Sequence, residues 1–145
     1  MKTPVFVLIA LMAMPALASE RKQSMMEKMQ ARKAFVTQFA AEPKASVSFL
    51  RQYDFEPLGQ HSLLLYESMS RAYLVEIEDF CTDLPWVMAI GIDTKTSNLN
   101  AKFDSIRVRD RSCRILEIRP VDVKAMKAEQ KRLNAAKKAA KQGGR

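Results

Sequence analysis

Asp104, Arg107 and Arg114, with Asp83 upstream, are the side chains whose types could do chemistry in this chain. A carboxylate beside guanidinium groups can take a proton or hold an anion, provided the fold brings them within hydrogen-bond reach. No spacing in the sequence fixes that geometry, and structural ion pairs perturb acidities as catalytic ones do. Asp104 therefore reads as a turn-stabilising or salt-bridged residue, and no catalytic role is assigned to any residue. A small enzyme using Asp104 with neighbouring arginines is the weakest of three functional readings. A Ser–His–Asp set drawn from Ser62, Ser105, His61 and Asp104 lacks any supporting local pattern. The single histidine, His61, cannot assemble a zinc site, which needs several protein ligands. Glu76, Glu78, Asp79 and Asp83 gather around Cys81 without calcium-loop spacing, so they read as a solvated acidic edge. No glycine-rich phosphate cradle occurs, so no cofactor and no metal is implied.

Two cysteines, Cys81 and Cys113, remain. In an exported chain such a pair is most simply a disulfide. It would close a loop of about 33 residues, worth about 3.5–4 kcal/mol on the chain-entropy model. It would also remove both thiols from reactive service. Trp86 most simply anchors the core; with Tyr73 it is the aromatic candidate for lining a ligand pocket.

Export is read from the first eighteen residues. Lys2 precedes an apolar run of ten, Val5 to Met14; Pro15 breaks it and Ala16-Leu17-Ala18 offers a cleavage pattern. Ten residues make about 15 Å of helix, half a bilayer core, so a membrane anchor is disfavoured. The expected location is periplasmic, with secretion the alternative.

The elements that must position these residues follow. Residues 19–42 are expected as an N-terminal helix, opened by a Ser24–Glu27 capping box, ended by Pro43, and carrying Met25, Met29, Val36, Phe39 and Ala40 on one face. Residues 43–122 are expected as a disulfide-closed β domain of about five mainly antiparallel strands, as a twisted sheet or small barrel. His61–Ser68 and Arg71–Glu78 form one hairpin. Trp86, Met88, Ile90 and Ile92 share a face of the next strand. Phe103–Arg109 and Cys113–Arg119 form the closing hairpin, which Pro120 stops. Strict alternation would turn Phe103 outward, so a β-bulge near Asp104–Ser105 is expected to let Phe103 and Ile106 both face in. An inward Asp104 needs donors, either backbone N–H groups or Arg114, which shares a face with Leu116 and Ile118. The fold class is α+β.

Residues 123–145 form a Lys/Ala-rich tail expected as a fraying helix with a thin apolar stripe of Met126 and Leu133. Charge divides sharply. Ser19–Asp122 carries 15 basic and 15 acidic residues, whereas Val123–Arg145 carries 8 basic residues against Glu129 alone. The basic tail could fold back on the acidic edge.

From Phe55 to Asp122, "PLGQHSLLLY", "RAYLVEI", Cys81-Thr82-Asp83-Leu84, "AKFDSIRV" and "CRILEIRPVD" occur in an order that resembles a family of short exported bacterial proteins of unknown function. The resemblance implies an envelope or secreted protein with a paired-cysteine β domain. It implies no activity, and it leaves the Met-rich helix and the tail outside the match. The leading functional reading is a non-enzymatic binding or accessory module of the cell envelope, taking a small ligand or an envelope protein. The alternative is tail-mediated binding to anionic membrane surfaces or other polyanions. Nucleic acid is disfavoured by the export signal and by a tail without interleaved aromatics.

Overall fold

Ser24 and Glu27 lie inside a continuous helix, not at its start. The computed structural model describes residues 16–144, so most of the expected export signal, residues 1–15, lies outside the described residues. Helix α1 spans Ala16–Thr37 and passes through the expected cleavage point and the expected capping box. Upstream turns already supply carbonyls to the Ser24 region, so nothing there needs a cap. The helix ends before Pro43: the Thr37 hydroxyl donates back to the Lys33 carbonyl at 2.7 Å, and a turn follows. Of the expected apolar face, Val36 is fully buried, Phe39 and Ala40 pack beyond the helix end, and Met25 is 37% exposed.

Eight strands follow, β1 Ser46–Ser48, β2 Asp54–Pro57, β3 Ser62–Ser68, β4 Arg71–Ile77, β5 Gly91–Asp93, β6 Asn98–Asn100, β7 Ser105–Val108 and β8 Arg111–Val121, then helix α2, Val123–Gln142. Six of them form one antiparallel sheet in the order β2-β3-β4-β8-β7-β5, curled into a half-barrel, while β1 and β6 pair as a separate ribbon. The fold is thus α+β with one disulfide, as the sequence indicates, although the strands are more numerous than expected.

The centre of the sheet is buried on both faces, which explains the unbroken "SLLL" run in β3. On one face Leu63, Leu65, Val75, Ile77, Ile115 and Ile118 pack with Val47 and Leu99 of the ribbon. On the other, Leu64, Leu74 and Ala72 meet Val36 of α1 and Val123 and Met126 of α2. Each fully buried leucine contributes about 1.5–3 kcal/mol, so both helices are held by this second, smaller core.

Of the third expected strand only the end forms, as β5. Leu84–Trp86 is a short 3₁₀ turn with Pro85 in it, and extended pairing begins only at Gly91. Met88 is 96% exposed and Trp86 is 39% exposed, so the apolar run was not a strand face and Trp86 is no core anchor. The expected bulge at Asp104–Ser105 is also absent. Lys102, at φ 71°, turns the chain so that Asp104 faces inward and Phe103 is left 87% exposed. The bulge lies instead on β8: Glu76 pairs with Glu117 and Ile77 with Ile115, leaving Leu116 unmatched. That extra residue separates exposed Arg114 and Leu116 from buried Ile118, which the sequence pattern had placed on one face.

Pro120 does not stop β8, which continues to Val121 opposite Ala72. The Pro120 carbonyl accepts from Ala41 N–H at 2.7 Å, and Ile118 and Asp122 bond to that same Phe39–Lys44 segment. The missing N–H of Pro120 therefore points to that segment, and the ladder to β4 loses nothing. The chain then turns into α2 through Asp122, whose carboxylate caps the Ala125 N–H at 2.9 Å. Asn134–Gly144 is exposed throughout, and the basic helix does not fold back on the acidic edge. Three of those acids are met by other partners: Glu78 by Arg114, Asp83 by Arg109 and Glu76 by Lys33. No helix among the described residues is long and apolar enough to cross a membrane.

Candidate functional site

A cleft runs between α1 and the β body. One end, of about 350 Å³, is walled by Met26, Gln30 and Lys33 of α1 and by His61, Ser62 and Glu76 of the sheet. The other, of about 360 Å³, shares Met26, Gln30 and Gln60 with it and opens at Trp86. On α1, Gln23, Met26, Gln30 and Lys33 stand at i, i+3, i+7 and i+10, a single helical stripe turned toward the body. A helix built only to cover the core would put leucines there. The polar stripe keeps the first half of α1 from sealing onto the sheet, while Val36 anchors its last turn.

Lys33 fixes the end walled by β3 and β4. Its Nζ donates to Ser62 Oγ at 2.7 Å and pairs with Glu76 Oε1 at 2.8 Å, while Ser62 Oγ donates to Glu76 Oε2 at 2.7 Å. The strand pair positions the two sheet residues, since Ser62 and Glu76 are direct partners across β3 and β4. This triangle resembles a nucleophile with a base, but its chemistry is that of a clamp. Lys33 offers an ammonium already bound to a carboxylate, with no lone pair to take the Ser62 proton. Beside it, His61 Nδ1 is buried with no hydrogen-bond partner among the described residues. Such an orphan costs about 1–3 kcal/mol unless something supplies a partner.

The floor turns at Gly59, whose φ of 147° suits glycine alone, and Leu58 N–H closes the turn on the Ser62 carbonyl at 2.8 Å. At the open end Lys22 Nζ sits 5.8 Å from the centre of the Trp86 ring. Such an exposed cation–π contact is worth about 0.5–1 kcal/mol and is readily exchanged. The far flank of α1 is tied down by Arg32, which donates to both Glu56 oxygens at 2.8 and 3.2 Å and to Gln130 of α2 at 3.1 Å. The Glu56 hydrogen bond pushes the Arg32 guanidinium above its ordinary value. Tyr66, which borders Glu56, is raised by burial and then by the carboxylate.

The residues singled out from the sequence lie elsewhere and apart. Asp104 is buried and held by Asn100, not by Arg114. Arg107 pairs with Asp93 on the neighbouring strand, Arg109 with Asp83 at 3.8 Å, and Arg114 with Glu78 at 3.9 Å. These are separate ion pairs around the β7–β8 end, and nothing there converges on a common point. Tyr73 donates to the Ser48 carbonyl at 3.0 Å and borders a different depression from Trp86. Burial raises its phenol above the ordinary value. Cys81 and Cys113 form the disulfide, with Cα atoms 6.1 Å apart. The cleft was missed because its walls come from stretches far apart in sequence. The one local sign was the polar spacing of Gln23, Gln30 and Lys33 within an otherwise helical pattern.

A disulfide-closed α+β half-barrel flanked by two helices is therefore the class that fold and site define. The chain belongs to the Family of unknown function (DUF6491), whose family model matches residues 1–137. That match takes in the Met-rich helix and most of the basic tail, both of which the sequence resemblance had left outside. No curated protein and no solved structure matches the chain.

Proposed function

We propose that this protein is an exported, non-enzymatic binding module of the cell envelope that holds its ligand in the cleft between α1 and the β body. The carrying observation is the polar stripe of α1 facing an open, Trp86-ended cleft, when the sheet interior is filled by its own side chains. A filled interior leaves no room for a barrel-mouth ligand. Lys33, Ser62 and Glu76 satisfy one another, which suits a rigid wall better than a reaction centre. The leader pattern before Ser19 supports export. The test is native mass spectrometry of the protein isolated from the envelope fraction. A co-purifying small molecule, lost when Gln60→Trp fills the cleft, is expected; an identical ligand-free mass for both proteins argues against the reading.

A second reading rests on α2. From Asn134 onward it is wholly exposed and carries Lys137, Lys138 and Lys141. Such a helix is drawn to anionic headgroups by up to about 1 kcal/mol per cation near the surface. Deleting all of 123–145 would be a poor test, because Val123 and Met126 belong to the core. Truncation after Leu133 keeps them. Loss of salt-sensitive sedimentation with anionic vesicles would support this reading, and salt-insensitive binding would count against it.

A further inference from the structure

We infer that the cleft takes a short glycan, specifically a chain of N-acetylated amino sugars; this rests on the reading of the cleft as a ligand site. Gln23 and Gln30 on α1 and Gln60 on the facing turn present amides that both donate and accept, the pairing that sugar hydroxyls and acetamido groups require. Trp86 offers an indole face at the open end, where the C–H-lined face of a sugar ring can pack, and the loosely placed Lys22 can give way. Charge argues against a phosphate-like anion: the walls carry Lys22 and Lys33 against Glu27, Glu76 and Asp79. From Gln23 to Lys33 the stripe is about 15 Å long at 1.5 Å per residue, which suits a chain and not a single ring.

Trp86 is the sole tryptophan, so its emission reports on this site alone. The purified protein is titrated with chitotetraose, maltotetraose, tetra-alanine, inorganic phosphate and a low-molecular-mass envelope extract. A saturable emission change with chitotetraose, weakened about tenfold by Gln30→Ala and at least as much by replacing the probe with maltotetraose, is the expected result. Gln30 is exposed, so its alanine variant should melt with the parent. Equal affinity for maltotetraose, or chitotetraose binding indifferent to Gln30→Ala, overturns the inference. Silence with chitotetraose but a saturable response to tetra-alanine, phosphate or the extract overturns it too and leaves the cleft as a ligand site. Silence with all five removes both.

Discussion

Asp104 is bound twice by one residue: its Oδ2 accepts from the Asn100 backbone N–H at 2.7 Å and from the Asn100 side-chain amide at 2.9 Å. The Asp104 N–H in turn donates to the Asn100 carbonyl at 3.0 Å, closing the turn that carries Lys102 at positive φ. A buried carboxylate with several donors is a structural element and needs no substrate to explain it.

Replacing Asp104 by Asn should cost about 1–2 kcal/mol, because the charge-assisted bonds weaken and an amide hydrogen meets a donor. Thermal unfolding of the variant measures this. Ligand response at Trp86 should be unchanged, since Asp104 takes no part in the cleft walls.

Phe103 and Ile106 make a paired test of the turn. Phe103→Ser should change stability by less than about 0.5 kcal/mol, its ring being 87% exposed. Ile106→Ala, at a fully buried site, should cost about 2–5 kcal/mol in denaturant unfolding. Similar losses from both would place Phe103 back in the core.

The central hairpin was legible because two apolar, strand-length runs flank a short polar turn, and the tail because Ala and Lys favour helix over 20 residues. Trp86–Ile90 misled because an apolar run does not say whether it is buried; Pro85 and the tether at Cys81 hold that stretch outside the sheet. Phe103 misled because an aromatic ring was expected to need burial; the structure keeps the plain alternation, with Asp104, Ile106 and Val108 inward and Phe103 outward beside the left-handed turn at Lys102. The disulfide could be read from cysteine count and the expected compartment. The cleft could not, because only packing brings α1 within reach of His61–Ser62 and Trp86.

Lys33 joins α1 to the sheet, so Lys33→Met should loosen the helix before it unfolds the domain. The clamp is partly exposed, with side-chain exposures of 37% for Lys33 and 28% for Glu76, which limits the cost to about 0.5–1.5 kcal/mol. Amide hydrogen exchange should quicken along α1 between Lys22 and Lys33 while β4 and β8 stay protected. Uniform acceleration would show that the clamp supports the whole domain instead.

Tyr66 and Tyr73 give a pH dependence with a definite sign. Burial raises both phenols above the ordinary value near 10. Below that value both groups are protonated in the folded and unfolded chain alike, and stability is full. As pH climbs past it the unfolded chain ionises first, so stability falls until the folded-state values are passed. Denaturant midpoints measured from pH 8 to about 11 should drop at the alkaline end, and Tyr66→Phe should flatten part of that drop.

Reducing the Cys81–Cys113 bond, or replacing both cysteines by serine, should lower stability by about 3–4 kcal/mol, because the loop spans 32 residues of separation. Unfolding with and without reductant measures it. The Trp86 turn, tethered through Cys81, should lose order first, visible as a red shift of its emission ahead of global unfolding.

The most direct measurement of the central claim follows the indole N–H resonance of Trp86, a single peak because the chain has one tryptophan. The protein is mixed with the low-molecular-mass fraction of the cell envelope. A saturable shift of that peak, accompanied by the Gln30 and Gln60 side-chain amides and abolished by Gln60→Trp, is predicted. An indole peak that stays in place while resonances elsewhere in the chain move would contradict the assignment of function to this cleft.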